Sequence, residues 1–285
     1  MHNKNYCLIT GASEGFGKAL SIECATRNIN LILVALPGPE LYNLSSFIKR
    51  NYAVEVIAIE KDLSKEDNCV ALFEEVSALN IKVNMLINNA GLGSTMLFNE
   101  GSIQLYQTQI KLNILATTLV TRLFIGILEK NSPAYILNVG SLSSFFFLAK
   151  KQVYGGTKSY IYFFSKSLRR ELKPEGIRVS VICPGAMNTN TSITLLNRSC
   201  NWLARQAVMD PENVAPIAID GLLKGKEVIF PGRMNRLFLF FDKLLPAIIK
   251  EKITGHQLKS LNSVTIMNAK LQPVPVAEKI KPYSK

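Results

Sequence analysis

Seven short runs of aliphatic and β-branched residues alternate with longer stretches whose apolar side chains recur three and four positions apart. The runs are 6–10, 30–35, 54–59, 83–88, 134–139, 177–182 and 227–230, and the helical patterns between them include 17–28 and 67–79. The runs are apolar almost throughout, as strands are when helices cover both faces of a sheet. Strand and helix in this alternation specify an α/β fold: a seven-stranded, mostly parallel, doubly wound sheet with right-handed crossovers. No internal repeat or low-complexity segment interrupts the series, which closes near Pro231-Gly232. Residues 1–232 are therefore expected to form the folded domain, 233–270 a basic amphipathic extension, and 271–285, LQPVPVAEKIKPYSK, a disordered tail.

A chain of 285 residues with 48% hydrophobic content can bury one large core. His2 and His256 lie near the ends, too few for a metal site or a triad that needs several imidazoles. Cys7, Cys24, Cys69, Cys183 and Cys200 are odd in number and lack C-x-x-C spacing. They read as small core hydrophobes in a reducing compartment, so a cytoplasmic location is expected. The N-terminal MHNKNYCLIT is too polar for a signal peptide, and no window of 18 uncharged apolar residues offers a spanning helix. The net charge of +12 invites a nucleic-acid reading, but residues 221–285 hold 12 basic against 4 acidic residues and so carry +8 of it. With no docking motif in the chain, nucleic acid is not an expected partner.

The first strand runs into Thr10-Gly11-Ala12-Ser13-Glu14-Gly15-Phe16-Gly17, and a helical pattern follows at once. Glycines let the backbone turn tightly and approach a pyrophosphate, and the helix N-terminus presents unpaired N–H groups to the anion. The Gly17-Lys18-Ala19 continuation lacks the hydroxyl that a nucleoside-triphosphate loop uses on Mg²⁺. Further on, Tyr154-Gly155-Gly156-Thr157-Lys158 sets a phenol and an ammonium four apart, on one face of the helix expected over 157–172. A neighbouring cation favours the phenolate and brings a phenol toward useful acid/base range. Ser141 follows the fifth strand, where a hydroxyl points into the crevice in which open α/β sheets bind ligands.

Together these residues resemble the short-chain dehydrogenase/reductase family over roughly residues 5–232, with a Rossmann-type fold. The resemblance is carried by the loop at 10–17, Asp62-Leu63 after the third strand, and Asn88-Asn89-Ala90-Gly91 after the fourth. It continues through Asn113, Ser141, Tyr154 and Lys158, and ends in Pro184-Gly185 and Thr189. It implies an NAD(P)(H)-dependent oxidoreductase interconverting a ketone and a secondary alcohol. Tyr154 would be the general acid/base, and Lys158 would hold the nicotinamide ribose and lower the Tyr154 pKa. Ser141 would bind the substrate oxygen, and Asn113 a relay water. Thr10, Gly11, Ser13, Gly15, Phe16, Gly17, Asp62, Leu63, Asn89, Ala90, Gly91, Pro184, Gly185 and Thr189 would line the cofactor. The family also implies a homodimer or homotetramer paired through the helices of Asn113 and Tyr154. A catalytically silent dinucleotide-binding sensor or scaffold is the rival reading, opposed by the complete set of Ser141, Tyr154, Lys158 and Asn113.

Three features depart from the pattern or leave it open. The end of the second strand, Ala35-Leu36-Pro37-Gly38, carries neither the acid that selects NAD nor the Arg that selects NADP, and the resemblance tips the expectation to NADP(H). Glu40 reads as a first-turn helix acid. Phe145-Phe146-Phe147 could pack in the core or line the mouth. The segment over about 186–210, the expected substrate lid, is also apolar, which suits a lipophilic or acyl carbonyl substrate. Finally, 232–253 repeats Arg236, Lys243 and Lys250 on one helical face and Leu237, Phe241, Leu244, Leu245 and Ile248 on another, with Pro246 as a break. Peripheral membrane contact and packing on protein both fit that stripe.

Overall fold

In the computed structural model, residues 5–198 and 205–237 are described. Seven parallel strands lie in the order β3-β2-β1-β4-β5-β6-β7: β1 Tyr6–Thr10, β2 Asn30–Ala35, β3 Val56–Glu60, β4 Val83–Asn88, β5 Ala134–Val139, β6 Ile177–Ile182 and β7 Val228–Ile229. The helices are α1 Gly15–Thr26, α2 Pro39–Asn51, α3 Glu66–Ala78, α4 Ile103–Ile110, α5 Thr117–Lys130, α6 Gln152–Leu172, α7 Thr191–Arg198 and α8 Pro211–Leu223. Side chains alternate across the sheet with the two-residue period of a strand. Cys7 and Ile9 of β1 join α1, α2 and α8 on one face, whereas Tyr6 and Leu8 join α3, α5 and α6 on the other. Burial on both faces explains why five strands fall where the apolar runs end.

The differences are local. The third strand shifts to Val56–Glu60 and the seventh shortens to Val228–Ile229. The first helix runs Gly15–Thr26 instead of 17–28, and α3 runs Glu66–Ala78 instead of 67–79. More consequential, α6 begins at Gln152 and not at 157, because Gly155-Gly156 is absorbed into its first turns and Gly155 N–H donates to Lys151 O at 2.7 Å. The 141–144 loop lies against this helix, with Ser143 O at van der Waals distance, 3.4 Å, from where a Gly155 β-carbon would stand. Tyr154 is thus a helical residue.

Helices α4 and α5 are joined by a widened π turn, Lys111–Ala116, into one 28-residue helix that contains an 18-residue stretch of mean hydropathy 1.5, long and apolar enough to cross a bilayer. Its inner side instead fills the core: Val120, Phe124 and Leu128 are buried against β4 and β5. The four described cysteines, Cys7, Cys24, Cys69 and Cys183, are free and buried. The packed region also reaches past Gly232, since Asn235 is buried beside Gly185. Of the amphipathic segment 232–253, all beyond Leu237 lies outside the described residues, as do the tail 271–285 and Cys200.

Phe124 is fully buried and meets Phe73 edge-on at 5.6 Å between ring centroids. Phe124→Ala should lower the unfolding free energy by about 3–5 kcal/mol in urea titrations, from lost transfer energy and a retained cavity.

Candidate active site

The sheet reverses its winding between β1 and β4, the place where doubly wound folds bind ligands beyond the strands' carboxyl ends. Thr10 and Asn89 hold that gap together. The Thr10 hydroxyl accepts the N–H groups of Asn89 and Ala90, each at 3.0 Å. The Asn89 amide in turn donates to Thr10 O and Gly11 O, both at 2.9 Å. Gly11 has φ +64°, and a β-carbon on it would strike Ala90; one on Gly17 would collide with Gly11 O. A smooth backbone cradle results at the N-terminus of α1, whose first turn has no acidic residue and whose N-cap, Glu14, makes no side-chain cap. Ser13 and Gly15 lie in this loop, whereas the Phe16 ring turns into the core. These residues fit a dinucleotide pyrophosphate: the donors converge where a Cβ would otherwise stand.

The rest of the expected cofactor set surrounds the cradle. Asp62 accepts from Ser64 N and Ser64 Oγ at 3.1 and 2.7 Å, fixing the turn after β3. Leu63 borders the same depression as Thr10 and Ala90. Thr189, at the start of the lid segment, sits against Gly15. Pro184 O accepts from Leu142 N at 2.9 Å, and Gly185 is backed by the buried Asn235 amide. At the end of β2, Gly38 N donates to Glu60 Oε1 at 3.2 Å, and Glu40 Oε2 lies 2.8 Å from where a Gly38 β-carbon would stand. Glu40 is indeed in the first turn of α2, but it shares Gly38 with a second carboxylate. Glu60 was hidden from sequence reading because it belongs to the next strand, paired with Ala35.

Ser141, Tyr154, Lys158 and Asn113 come together at the carboxyl end of β5. The Ser141 hydroxyl accepts from Ser143 N at 3.1 Å, and its side chain favours the ionised form of the Tyr154 phenol. Lys158 Nζ donates to Val139 O at 2.7 Å and lies 5.8 Å from the centre of the Tyr154 ring. Asn113 is buried in the π turn, where it donates to Leu92 O and Thr157 Oγ1 at 3.0 Å each and accepts from Leu92 N at 2.7 Å. Gly91 passes between Asn113 Oδ1 and Lys158 Nζ, with no room for a larger residue beside the amide.

Burial dominates the electrostatics. It pushes the Lys158 ammonium down to about 8, with Cys183 a smaller opposing influence. Burial also raises the Tyr154 phenol above its ordinary value, outweighing the lowering by the Ser141 hydrogen bond. The expected depression of the phenol by Lys158 is therefore not the prevailing effect in the protein alone. Beneath the site, Cys183 is pushed up to about 12 by the same burial, partly offset by the Ser141 backbone and by Lys158. The three phenylalanines divide: Phe145 packs against Tyr162 and Phe230, with centroids 4.7 and 5.6 Å away, whereas Phe147 is 98% exposed.

Thr10→Val keeps the shape of the clamp but leaves two backbone N–H groups without their acceptor. It should cost about 1–3 kcal/mol of stability, measured by denaturant unfolding.

Comparison with known proteins agrees with this geometry. The sequence pattern of the short chain dehydrogenase family matches residues 5–198. The 3-oxoacyl-[acyl-carrier-protein] reductase of Aquifex aeolicus is 28% identical over 216 residues, covering 74% of this chain and 87% of its own. The NADP-dependent 3-hydroxy acid dehydrogenase of Schizosaccharomyces pombe is 28% identical over 228 residues, 78% of this chain and 88% of its own. Among solved structures, a short-chain dehydrogenase from Sphingobium yanoikuyae in complex with NADPH superposes with a TM-score of 0.71 at 25% identity, covering 91% of this chain and 95% of that one. A nucleotide cradle at the β1–β4 gap, a Ser–Tyr–Lys–Asn cluster beside it and a family pattern spanning most of the chain make this protein a member of the short-chain dehydrogenase family, an NAD(P)(H)-binding oxidoreductase.

Proposed function

We propose that the protein interconverts a ketone and a secondary alcohol, with Tyr154 transferring the proton. The observation that carries this reading is the convergence of Ser141, Tyr154 and Lys158 at the end of β5, beside the glycine cradle. Thr10, Gly11, Ser13, Gly15, Gly17, Asn89, Ala90 and Gly91 would hold the dinucleotide with Asp62, Leu63, Pro184, Gly185 and Thr189. When bound, NAD(P)(H) supplies or accepts the hydride. In reduction, the Tyr154 phenol donates its proton to the carbonyl oxygen, and Ser141 Oγ donates a hydrogen bond to that same oxygen. Burial keeps the phenol protonated and ready for this direction. Lys158 steadies the phenolate that forms, and Asn113 orders a water that reloads the site from the Lys158 side. In oxidation the same phenolate takes the proton back.

The substrate class is an apolar or acyl carbonyl compound. Exposed Phe147, between Ser141 and Tyr154 in the chain, and the names of the 3-oxoacyl and 3-hydroxy acid relatives support it. A homodimer or homotetramer through the helices of Asn113 and Tyr154 accords with exposed Ile110 on the first and exposed Tyr160 and Phe163 on the second. For the nicotinamide, the geometry at Gly38 opposes the NADP(H) preference expected from resemblance. Two carboxylates, Glu40 and Glu60, flank Gly38 after β2, and a 2′-phosphate bound there would be repelled by them.

Purified protein should oxidise NADH with an apolar ketone, and Tyr154→Phe should lower kcat by two orders of magnitude or more, about the lower range of general acid catalysis. Undiminished turnover in that variant would remove Tyr154 from the mechanism. Fluorescence titration should give tighter binding of NADH than of NADPH, and Glu60→Gln should narrow that ratio by about fivefold. An unchanged ratio would clear Glu60 of the selection.

A further inference from the structure

One charged group at the site has no part in the proton chemistry. Lys151 immediately precedes α6, and its Nζ lies 5.2 Å from the centre of the Tyr154 ring, while Lys158 approaches the same ring at 5.8 Å. Its one hydrogen-bond partner among the described residues is the neutral hydroxyl of Thr95, at 2.9 Å. Thr95 belongs to the loop after β4, which runs from Gly91 beside Lys158, through Gly93 beside the Tyr154 ring, to Met96. Met96 N donates to Lys150 O at 2.9 Å, so that loop and the 145–151 segment are joined at two points.

The charge balance around this ammonium is incomplete. None of the ion pairs among the described residues involves Lys151. An ammonium has three donors, and Thr95 uses one. The helix that starts here adds its positive end: the first turn of α6 has no acidic residue and no side-chain cap. Burial pulls the Lys151 pKa below its ordinary value, with no anion opposing it. A partly desolvated cation held by a hydroxyl and an aromatic face, at the edge of the reacting phenol, is matched by an anion that arrives with the substrate.

We infer that Lys151 is a substrate-recognition residue that binds a carboxylate lying within a few bonds of the reacting carbonyl, so that the preferred substrate is an apolar oxo acid or the matching hydroxy acid. The inference rests on the reaction proposed above and narrows its substrate. The carboxylate accepts from the free N–H groups of Lys151, and the carbonyl falls between Ser141 and Tyr154. The apolar remainder of the molecule lies toward Phe146 and Phe147, in the segment between Ser141 and Lys151.

The test compares charged and neutral versions of one skeleton: 2- and 3-hydroxyoctanoate and their methyl esters, oxidised by wild type, Lys151→Met and Lys151→Arg. Wild type should favour the acid over the ester at one of the two positions. In Lys151→Met the acid-to-ester ratio of kcat/KM should fall by about ten- to a hundredfold, the worth of a hydrogen bond to a charged group. Lys151→Arg, which keeps the charge, should retain most of the ratio. If Lys151→Met slows acid and ester equally, Lys151 acts on Tyr154 or on folding, and the inference is overturned while the reaction stands. It is overturned equally if wild type does not discriminate acid from ester. Failure of wild type to turn over any acid, ester or simple alcohol would overturn the proposed reaction itself.

Discussion

Parallel strands whose connections leave toward opposite sides of a sheet part at their carboxyl ends, and the backbone groups exposed in the gap need partners. In this protein a single hydroxyl and a single amide meet that need. Thr10 and Asn89 bind each other's strands through four hydrogen bonds of 2.9–3.0 Å. The nucleotide cradle depends on this clamp, because it sets Gly11 against Ala90 and leaves Gly17 pressed to Gly11 O. The loop that follows Asn89 then carries Gly91 and Gly93 past Lys158 and Tyr154. The glycine cradle and the Tyr154–Lys158 pair are therefore positioned by one junction.

The Ser141–Tyr154–Lys158 cluster sits in a poorly solvated place, and burial opposes charge on both Tyr154 and Lys158. The ammonium of Lys158 is lowered to about 8 and the phenol of Tyr154 raised, so the protein alone holds a neutral phenol beside an ammonium that gives up its proton more readily than an ordinary lysine. Ordered dipoles compensate in part: Val139 O receives the Lys158 ammonium, and the Ser141 side chain lowers the phenol's pKa against the effect of burial. Such fixed partners need no rearrangement when charge develops during the reaction, which is how a preorganised site lowers a barrier.

Much of this was legible in the sequence because it is local. Strands buried on both faces read as unbroken apolar runs, and five of the seven end where those runs end. The glycine loop and the Tyr154–Lys158 spacing likewise lie within a few residues of each other. What escaped reading depends on neighbours distant in sequence. Glu60 reaches Gly38 across a strand pair, and Lys151 meets Thr95 across two loops. Gly155-Gly156 reads as a helix break, yet the helix runs through it from Gln152, with Gly155 N–H bonded to Lys151 O. The π turn at Lys111–Ala116 has no local signature, since KLNILA suits an ordinary helix equally well.

That turn also has a bearing on the core. Gln109, Asn113, Thr117 and Thr121 are buried and recur every four residues. In a regular α-helix such a row would wind off its face by about 40° per step. The wider turn takes up part of that drift, so the helix works as a vernier that keeps one polar column aimed inward. The column begins where Gln109 meets Leu92 O and passes Asn113 to Thr121, which accepts from Asn88. From there Asn88 donates to Asn138, and Asn138 donates to Ser165. A buried polar thread thus crosses an otherwise apolar layer from the active-site loop to α6. One residue gained or lost between 109 and 121 would turn its amides toward leucine and phenylalanine, a demand on length and not on composition.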